Sequence, residues 1–245
     1  AAIAEARRLD RRDPQAAVIA HGADIGLAFD GDADRCFVVD ENGRPVTPSA
    51  VTALIAVREI RRAQAAGEAN PVIIHNLITS RAVPEIVAAA GGWPVRTRVG
   101  HSFIKARMAE EGAVFGGEHS AHYYFRDFYN ADTGMLAAMH VLAALGEQEL
   151  PLSELAREFD PYAASGEINS SVDGVDGKVA DVRASYANGA VIDELDGLSV
   201  SSEGGDWWFN LRASNTEELL RLNVEAADAA TMAQVRDAVL QQIRA

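Results

Sequence analysis

Three aspartates, Asp30, Asp32 and Asp34, occupy alternate positions directly after a short apolar segment, IGLAF. Carboxylates this close together repel one another strongly unless a cation lies among them. Because hard oxygen ligands suit Mg²⁺ or Ca²⁺, the pattern predicts a cation-binding loop at a strand end. A solvated acidic turn is the ordinary alternative for a bare D-x-D-x-D pattern. Arg35 follows at once and favours phosphate chemistry, since a phosphoryl group could bridge the guanidinium and the metal.

Two other kinds of acidic site can be tested against this segment. An EF-hand loop starting at Asp30 would place Glu41 correctly at its twelfth position, but it requires glycine at the sixth, where Arg35 stands. It also requires flanking helices, whereas IGLAF and CFVVD are predicted strands, so the EF-hand is excluded. An aspartyl phosphatase of the haloacid dehalogenase type would form a phospho-aspartate at Asp30 or Asp32. That class usually has Thr or Val after the second Asp and no third Asp, but it stays open.

The segment LAFDGDADRCFVVDENGRPV resembles the metal-binding loop of the α-D-phosphohexomutases, the phosphomannomutase/phosphoglucomutase group. The resemblance implies that Asp30, Asp32 and Asp34 bind one Mg²⁺, whose fourth ligand in that family is an oxygen of a catalytic phosphoserine. It also implies a catalytic role for Arg35, which would neutralise the charge that develops during phosphoryl transfer.

A second segment, GGEHSAHYYF, resembles the family's sugar-binding loop of the form G-E-x-S-G-H. The resemblance assigns Glu118 and Ser120 to sugar hydroxyls, and such a pair can accept from and donate to neighbouring hydroxyls. It also makes His122 a candidate for acid–base catalysis. Ala121 replaces the usual glycine, so we expect that this position does not require a positive φ. A polar turn after the strand AVFG is the alternative.

Upstream of this loop, VGHSFIKARM resembles the family's G-H-S-x-I-K segment. His101 is there a candidate for contacting the substrate or moving a proton, and a structural histidine is the alternative. A lysine that relatives often carry in the preceding strand-end segment falls at Ile78 in this chain. We therefore expect one cation of the family's active site to be missing here.

A third segment, RASNTEELLRLNVEA, resembles the family's phosphate loop, R-x-S-N-T-E-P. The resemblance assigns phosphate binding to Arg212, Ser214, Asn215 and Thr216. The guanidinium offers a bidentate fork, and the short polar residues offer donors and a turn that exposes backbone N–H groups. The alternative is a strand-to-helix cap at Ser214 or Asn215. Glu218 stands where the family commonly has proline, and we expect it to affect phosphate affinity.

These motifs follow one another in the family's order from about residue 15 onward. The family's nucleophile is a serine in a T-A-S-H-N-P loop of the first domain, and no Ser-His dipeptide occurs in these 245 residues. We therefore expect a C-terminal part of a phosphohexomutase, inactive alone and dependent on a missing N-terminal domain. The substrate of the complete enzyme would be mannose or glucose 1- or 6-phosphate. A non-catalytic phosphosugar-binding remnant is the alternative.

The order of predicted elements indicates an α/β fold. Strands alternate with helices up to about residue 158, after which short β-like segments rich in Gly, Ser and Asp precede a last helix. The expected architecture is phosphohexomutase-type α/β layered domains with mixed sheets, followed by a smaller α+β C-terminal domain. We assign residues 1–65 to the tail of domain 2 with the metal loop, 66–158 to domain 3 with the sugar loop, and 159–245 to domain 4 with the phosphate loop.

The overall charge bears on partners and location. Acidic residues outnumber basic ones by 36 to 22, which gives a formal net charge of −14. Such a surface repels a phosphate backbone and an anionic membrane, so we expect neither nucleic acid nor membrane as a partner. Cys36 is the only cysteine, which excludes an intramolecular disulfide and fits a cytoplasmic protein.

Overall fold

The computed structural model describes residues 12–214 and 218–245, and the chain divides into two compact units between Asp160 and Pro161. The elements of the first unit are α1 Arg12–His21, β1 Ile25–Phe29, β2 Cys36–Asp40, β3 Pro45–Val46, α2 Pro48–Ala65, β4 Val72–Asn76, α3 Ala82–Ala89, β5 Trp93–Thr97, α4 His101–Glu111, β6 Phe115–Gly117, β7 Tyr123–Phe125, a 3₁₀ turn Arg126–Phe128, β8 Ala131–Asp132, α5 Gly134–Gly146 and α6 Leu152–Arg157. Those of the second unit are β9 Ala163–Ala164, β10 Ile168–Ser171, α7 Val175–Ser185, β11 Ala190–Asp193, β12 Leu198–Ser202, β13 Trp207–Ala213, β14 Leu219–Ala226 and α8 Ala229–Arg244.

The first unit begins with a three-stranded antiparallel sheet in the order β1-β2-β3. Phe29 pairs with Cys36 at the end of the β1–β2 ladder, so residues 30–35 form the loop of a hairpin. The following turn is fixed by Asp40, whose Oδ1 accepts a hydrogen bond of 2.8 Å from the backbone N–H of Arg44. The acidic segment is therefore held between two paired strands.

A five-stranded mixed sheet in the order β5-β4-β6-β7-β8 forms the centre of the first unit. Strand β4 is parallel to β5 and β6, whereas β6–β7 and β7–β8 are antiparallel. Helix α2 starts at Pro48 with Thr47 as its N-cap and buries Ile55 and Ile60 completely in the main core. Because parallel strands end at the same edge of a sheet, the ends of β4 and β6 bring Asn76 close to the residues after Gly117.

The second unit contains a six-stranded antiparallel sheet, in which five strands follow the order β10-β14-β13-β12-β11 and β9 also pairs with β14. Helices α7 and α8 contribute Val182, Val239 and Ile243 to its core. Phe209 and Leu222 are buried opposite them in the central strands. An antiparallel sheet that packs helices against its core is an α+β arrangement.

The structure confirms the predicted fold class, with mixed sheets in the first unit and an α+β second unit. The helices at 152–157 and 175–185 were not predicted. The second of these has Gly177 in its first turn and buries only Val182, so its amphipathic signal is weak. The domain boundaries at 65 and 158 stay predictions. Within the described ranges, no helix has the length and apolar character needed to cross a membrane.

Candidate functional site

The acidic hairpin loop brings together the three aspartates that the sequence singled out. Asp30, Asp32 and Asp34 each offer a carboxylate oxygen, and these atoms lie within 4.8 Å of one another. The turn closes with Ala33 in the left-handed region at φ 59°, and its N–H donates to the carbonyl of Asp30 at 3.2 Å. Oδ1 of Asp34 is buried without a hydrogen-bond partner in the described residues. Three carboxylates that can each supply an oxygen ligand, one of which has an oxygen without a hydrogen-bond partner in the described part of the chain, fit a divalent cation.

Arg35 is bonded to one of these aspartates. Its backbone N–H donates to Oδ1 of Asp30 at 3.2 Å, and its Nε donates to Oδ2 at 2.6 Å. Burial raises the pKa of Asp30, but the bonds from Arg35 outweigh this and leave the pKa lowered. The Arg35 Nε also lies 3.9 Å from Oδ1 of Asp34. The guanidinium thus holds the loop together, and its side chain is still 40% exposed.

The acidic loop lies against the hairpin that carries the second motif. Nε2 of His122 is 3.7 Å from Oδ2 of Asp34, and the Cys36 N–H donates to the Ala121 carbonyl at 3.3 Å. Burial is the largest cause that raises the pKa of Asp34. The nearby His122 lowers this pKa, whereas the two other aspartates of the loop raise it, and the net shift is upward. The fold therefore joins two motifs that are far apart in the sequence.

Helix α5 approaches the acidic loop at its first residue. The Gly134 N–H donates to the Ala33 carbonyl at 3.0 Å. A Cβ at Gly134 would lie 2.5 Å from the Arg35 carbonyl oxygen, a backbone atom that cannot move aside cheaply. Only glycine permits this close approach.

Glu118 stands at the turn between β6 and β7 and is almost completely buried. Its Oε1 accepts a hydrogen bond from the Tyr124 hydroxyl at 2.6 Å. Its Oε2 accepts from Asn76 Nδ2 at 3.3 Å and from Ser120 Oγ at 3.2 Å. The carboxylate is therefore fixed by three donors from three segments of the first unit.

Ser120 links this carboxylate to His122. Its Oγ is 2.8 Å from His122 Nδ1. The serine hydroxyl has one hydrogen, and an ionised Glu118 can only accept. Both contacts are satisfied when His122 Nδ1 donates to Ser120 and Ser120 donates to Glu118. The candidate sugar-binding residues thus form one hydrogen-bonded chain that ends beside the acidic loop.

The expectation for Ala121 was wrong, because its φ is 69°, in the left-handed region. The turn requires this conformation, since the Ala121 N–H closes back onto the Glu118 carbonyl at 3.2 Å. A non-glycine residue there costs about 1–2 kcal/mol. The methyl group is completely buried in the main core, which offsets part of that cost. Alanine therefore occupies this position in the left-handed conformation that the turn requires.

Four neighbours of this site were missed in the sequence. Tyr124 and Asn76 hold Glu118, as described above. Asp132 is 90% buried, since its side chain is 10% exposed, and it forms an ion pair of 2.7 Å with Lys105. Carboxylate and imidazole atoms of Asp132, Asp34 and His122 form a second group within 4.8 Å. Lys105 belongs to GHSFIK and Tyr124 to the sugar-loop segment, so the motifs contained part of the signal.

The remaining predicted residues of the first unit lie apart from these contacts. His101 is exposed at the first position of α4, behind Gly100. Among the described residues, no hydrogen bond or ion pair joins His101 to Glu118 or to the acidic loop. Ile78 is buried, with 7% of its surface exposed, and adds no polar group.

In the second unit Arg212 lies near the end of β13, just before the loop of the third motif. Its Nη1 is 3.7 Å from Oδ2 of Asp196, and its Nε is buried without a hydrogen-bond partner in the described residues. The Ser214 N–H donates to the Leu219 carbonyl at 2.9 Å and closes the hairpin onto β14. The alternative of a strand-to-helix cap is therefore wrong. The predicted phosphate ligands Asn215 and Thr216 lie outside the described residues.

A surface cavity of about 500 Å³ adjoins this hairpin. Ser214 and Glu218 line one side of it, and Val175 and Asp176 at the start of α7 line another. The third motif therefore opens onto a space large enough for a small ligand. An α/β unit that carries the acidic loop, followed by an α+β unit that carries the third motif, defines a multi-unit α/β protein.

Comparison with known proteins shows which family the chain belongs to. Residues 7–43 match the family description "Phosphoglucomutase/phosphomannomutase, alpha/beta/alpha domain II", residues 47–162 match its domain III, and residues 167–242 match its C-terminal domain. The chain belongs to the phosphoglucomutase/phosphomannomutase family, the α-D-phosphohexomutases. This family is generally metal-dependent.

Individual relatives agree with this assignment. Phosphomannomutase of Salmonella typhimurium is 44% identical over 218 residues, which are 88% of this chain and 46% of that protein. Phosphomannomutase of Methanocaldococcus jannaschii is 41% identical over 216 residues, again 88% of this chain and 46% of that protein. A crystal structure of a phosphoglucomutase/phosphomannomutase family protein from Burkholderia thailandensis superimposes with a TM-score of 0.82 at 29% identity, covering 96% of this chain and 50% of that one. The chain spans about half the length of the curated relatives it matches.

Proposed function

We propose that this chain provides the metal-, sugar- and phosphate-binding parts of a phosphohexomutase that interconverts hexose 1-phosphate and hexose 6-phosphate. One observation supports this most directly: the acidic loop and the Glu118 hairpin are adjacent, with His122 3.7 Å from Asp34. A cation site beside residues suited to sugar hydroxyls is what phosphoryl transfer on a hexose requires.

The acidic loop would hold Mg²⁺ through Asp30, Asp32 and Asp34. When bound, the ion would supply positive charge for the oxygens of a phosphoryl group. Arg35 orders the loop through Asp30, and its exposed edge would neutralise charge on the transferring group. This arrangement also counts against an aspartyl phosphatase, because Arg35 already engages both carboxylate oxygens of Asp30.

The hairpin would bind the sugar. Glu118 would accept from one hydroxyl of the hexose, and Ser120 would contact a neighbouring one. His122 is held by Ser120 and lies beside the cation loop, so it is the better placed of the two candidate acid–base histidines. His101 stays a prediction for a proton-moving group.

The second unit would hold the phosphate that is not reacting. Among the described residues the buried Nε of Arg212 has no acceptor, and a phosphate oxygen would supply one. Ser214 lines the cavity beside this hairpin, and Asn215 and Thr216 are predicted to complete the loop.

The transfer itself would use a phosphoserine and a hexose bisphosphate intermediate, as in the family the chain belongs to. The Ser-His dipeptide of the family's nucleophile loop does not occur in the 245 residues. We therefore propose that this chain alone binds ligands without turnover, and that activity requires an N-terminal domain carrying the serine. We also propose that the protein acts in the cytoplasm.

Titration calorimetry of the 245-residue chain with Mg²⁺ and with mannose 6-phosphate tests the binding part. We expect weak Mg²⁺ binding, on the order of millimolar because most ligands would be water, and a further loss in Asp32→Asn. Asp24→Asn is the control, since it removes one exposed carboxylate at the opposite end of β1 from the loop. An equal effect of both variants would show that the ion is not held by the aspartate loop. Turnover by this chain without an added serine domain would contradict the catalytic part, and phosphatase activity abolished by Asp30→Asn would favour the aspartyl phosphatase.

A further inference from the structure

Tyr124 lies on the strand that returns from the sugar-loop hairpin, and its side chain faces away from those of its neighbours. Tyr123 and Phe125 belong to the main core of the first unit, whereas Tyr124 packs in a separate cluster with Ile74 and Ile104. This alternation is the normal two-residue period of a strand. One aromatic ring of the three is thereby placed at the base of the candidate sugar site.

The hydroxyl of Tyr124 makes the shortest of the three hydrogen bonds to Glu118, at 2.6 Å. An ionised carboxylate only accepts, so the phenol must be the donor. Burial, and then the charge of Glu118, raise the pKa of Tyr124 well above its ordinary value. The phenol therefore keeps its proton, and a short O–H···O⁻ bond of this kind is among the stronger ones.

Three side chains among the described residues donate to Glu118, which leaves one acceptor position of its carboxylate for a ligand. A carboxylate offers about four acceptor positions. Asn76 and Ser120 take two on Oε2, and Tyr124 takes one on Oε1. The remaining position lies on Oε1, the oxygen whose direction is set by Tyr124.

The ring of Tyr124 is itself held in place. The Lys105 ammonium lies over it, 5.6 Å from the ring centre, and pairs with Asp132 at 2.7 Å. The ring therefore has a buried cluster of side chains around it and a fixed cation against its face. Such support limits the motion of the hydroxyl and hence of the carboxylate it binds.

We propose that Tyr124 is a positioning residue that sets Glu118 Oε1 to accept one hydroxyl of a hexose phosphate. This inference rests on the proposed function, because it assigns a partner to the residue that would contact the sugar. It distinguishes a sugar phosphate from a bare phosphate, since only the former has a hydroxyl for Glu118.

The chain offers a matched control one residue away. The hydroxyl of Tyr123 is buried and has no hydrogen-bond partner in the described residues. Tyr123→Phe and Tyr124→Phe remove the same group from the same strand, but only the second breaks a bond to Glu118. Tyr123→Phe is expected to leave ligand affinity unchanged.

The experiment is titration calorimetry of the parent chain and both variants with mannose 6-phosphate and, separately, with inorganic phosphate. We expect Tyr124→Phe to weaken mannose 6-phosphate binding by about 3- to 10-fold, the range of one hydrogen bond, and to leave phosphate binding unchanged. Equal affinity of the parent and Tyr124→Phe for mannose 6-phosphate would overturn the positioning role alone. An equal loss for both ligands would show that Tyr124 is only structural. A parent chain that does not prefer mannose 6-phosphate to phosphate would overturn both this inference and the proposed sugar site.

A double-mutant cycle provides the second measurement. In a Glu118→Gln background, Tyr124→Phe should cause less than a 2-fold further change in mannose 6-phosphate affinity if Tyr124 acts through Glu118. A further loss as large as in the parent background would contradict the proposal.

Discussion

The Glu118 hairpin of the first unit and the Arg212 hairpin of the second differ in how their polar groups are satisfied. In the first unit, Glu118 accepts three hydrogen bonds from the protein. In the second unit, the Arg212 Nε is buried without a partner in the described residues, and its nearest ion-pair contact, to Asp196, is 3.7 Å long. The Glu118 hairpin is organised before any ligand arrives, whereas the Arg212 hairpin has a donor that an anion would complete, just as the acidic loop of the first unit has an oxygen, Asp34 Oδ1, that has no hydrogen-bond partner among the described residues and that a cation would complete.

This difference fits the two kinds of group that the sites would bind. A neutral hydroxyl is recognised by geometry, which requires acceptors that are already fixed. A phosphate is recognised by charge, which tolerates a more open site but requires an unused donor. The comparison therefore predicts that packing changes will affect the first site most and charge changes the second.

The largest effect is expected for Gly134→Ala, which should break the first site. Its Cβ would lie 2.5 Å from the Arg35 carbonyl oxygen, so α5 and the acidic loop must separate. We expect a loss of about 3 kcal/mol in the free energy of unfolding and weaker Mg²⁺ binding. Gly146→Ala is the control on the same helix, because a Cβ there meets nothing within 4 Å. Urea unfolding and calorimetry test this, and unchanged Mg²⁺ binding in Gly134→Ala would show that the loop does not depend on α5.

The next largest effect is expected from acid, which should destabilise the first unit more than the second. His75 is buried, and burial lowers its pKa from 6.5 to about 4. Because the folded pKa lies below the unfolded one, this contribution to stability is complete above pH 6.5 and is lost as the pH falls toward 4. We expect the first unit to lose about 2–3 kcal/mol between pH 7 and pH 4.5. Residues 161–245 contain no histidine, so the second unit should be little affected.

Hydrogen exchange followed by mass spectrometry measures the two units separately at each pH. His75→Gln is the control, since it removes the titrating group. Burial also lowers the pKa of His140, so this residue contributes with the same sign. It would account for the acid-dependent loss of stability that remains in the His75→Gln variant. Equal acid sensitivity of both units would contradict this explanation.

Arg212→Ala tests the anchor of the second site. Loss of a charge-assisted contact should weaken phosphate binding by about 1.5–3 kcal/mol. Arg212→Lys should restore only part of the affinity, because an ammonium lacks the planar fork. Arg236→Ala removes a partly exposed arginine of α8 that pairs with Asp237, and it is the charge control. Phosphate titration that does not distinguish Arg212→Ala from this control would rule out the third motif as a phosphate site.

The smallest effect is expected at Glu218, which lines the cavity beside Ser214. Glu218→Pro removes a carboxylate near the bound dianion and restricts the loop, so phosphate should bind about 2- to 5-fold more tightly. Glu218→Ala removes the charge without the restriction and separates the two causes. Weaker binding in both variants would mean that the carboxylate assists the site.

The sequence was most informative where local chemistry is repeated in a short motif. The three aspartates and the strand–turn–strand pattern around them could be predicted, because apolar alternation and Asn-Gly turns act within a few residues. Helix 175–185 could not be predicted, because its early Gly177 and single fully buried side chain leave little periodicity. The conformation of Ala121 was also predicted incorrectly, since burial of its methyl group compensates for an unfavourable φ.

The sequence by itself determined the residue types of this protein's candidate sites and the order in which they follow one another. Only the tertiary structure decided which of them meet. The parallel pairing of β4 and β6 brings Asn76 to Glu118, and the packing of the two hairpins brings His122 to Asp34. Tyr124 lies on a strand that the sequence did not predict, and its partner depends on which face of that strand is turned toward the loop. Such contacts join residues far apart in the chain, so they follow from the arrangement of the sheets and not from any local pattern.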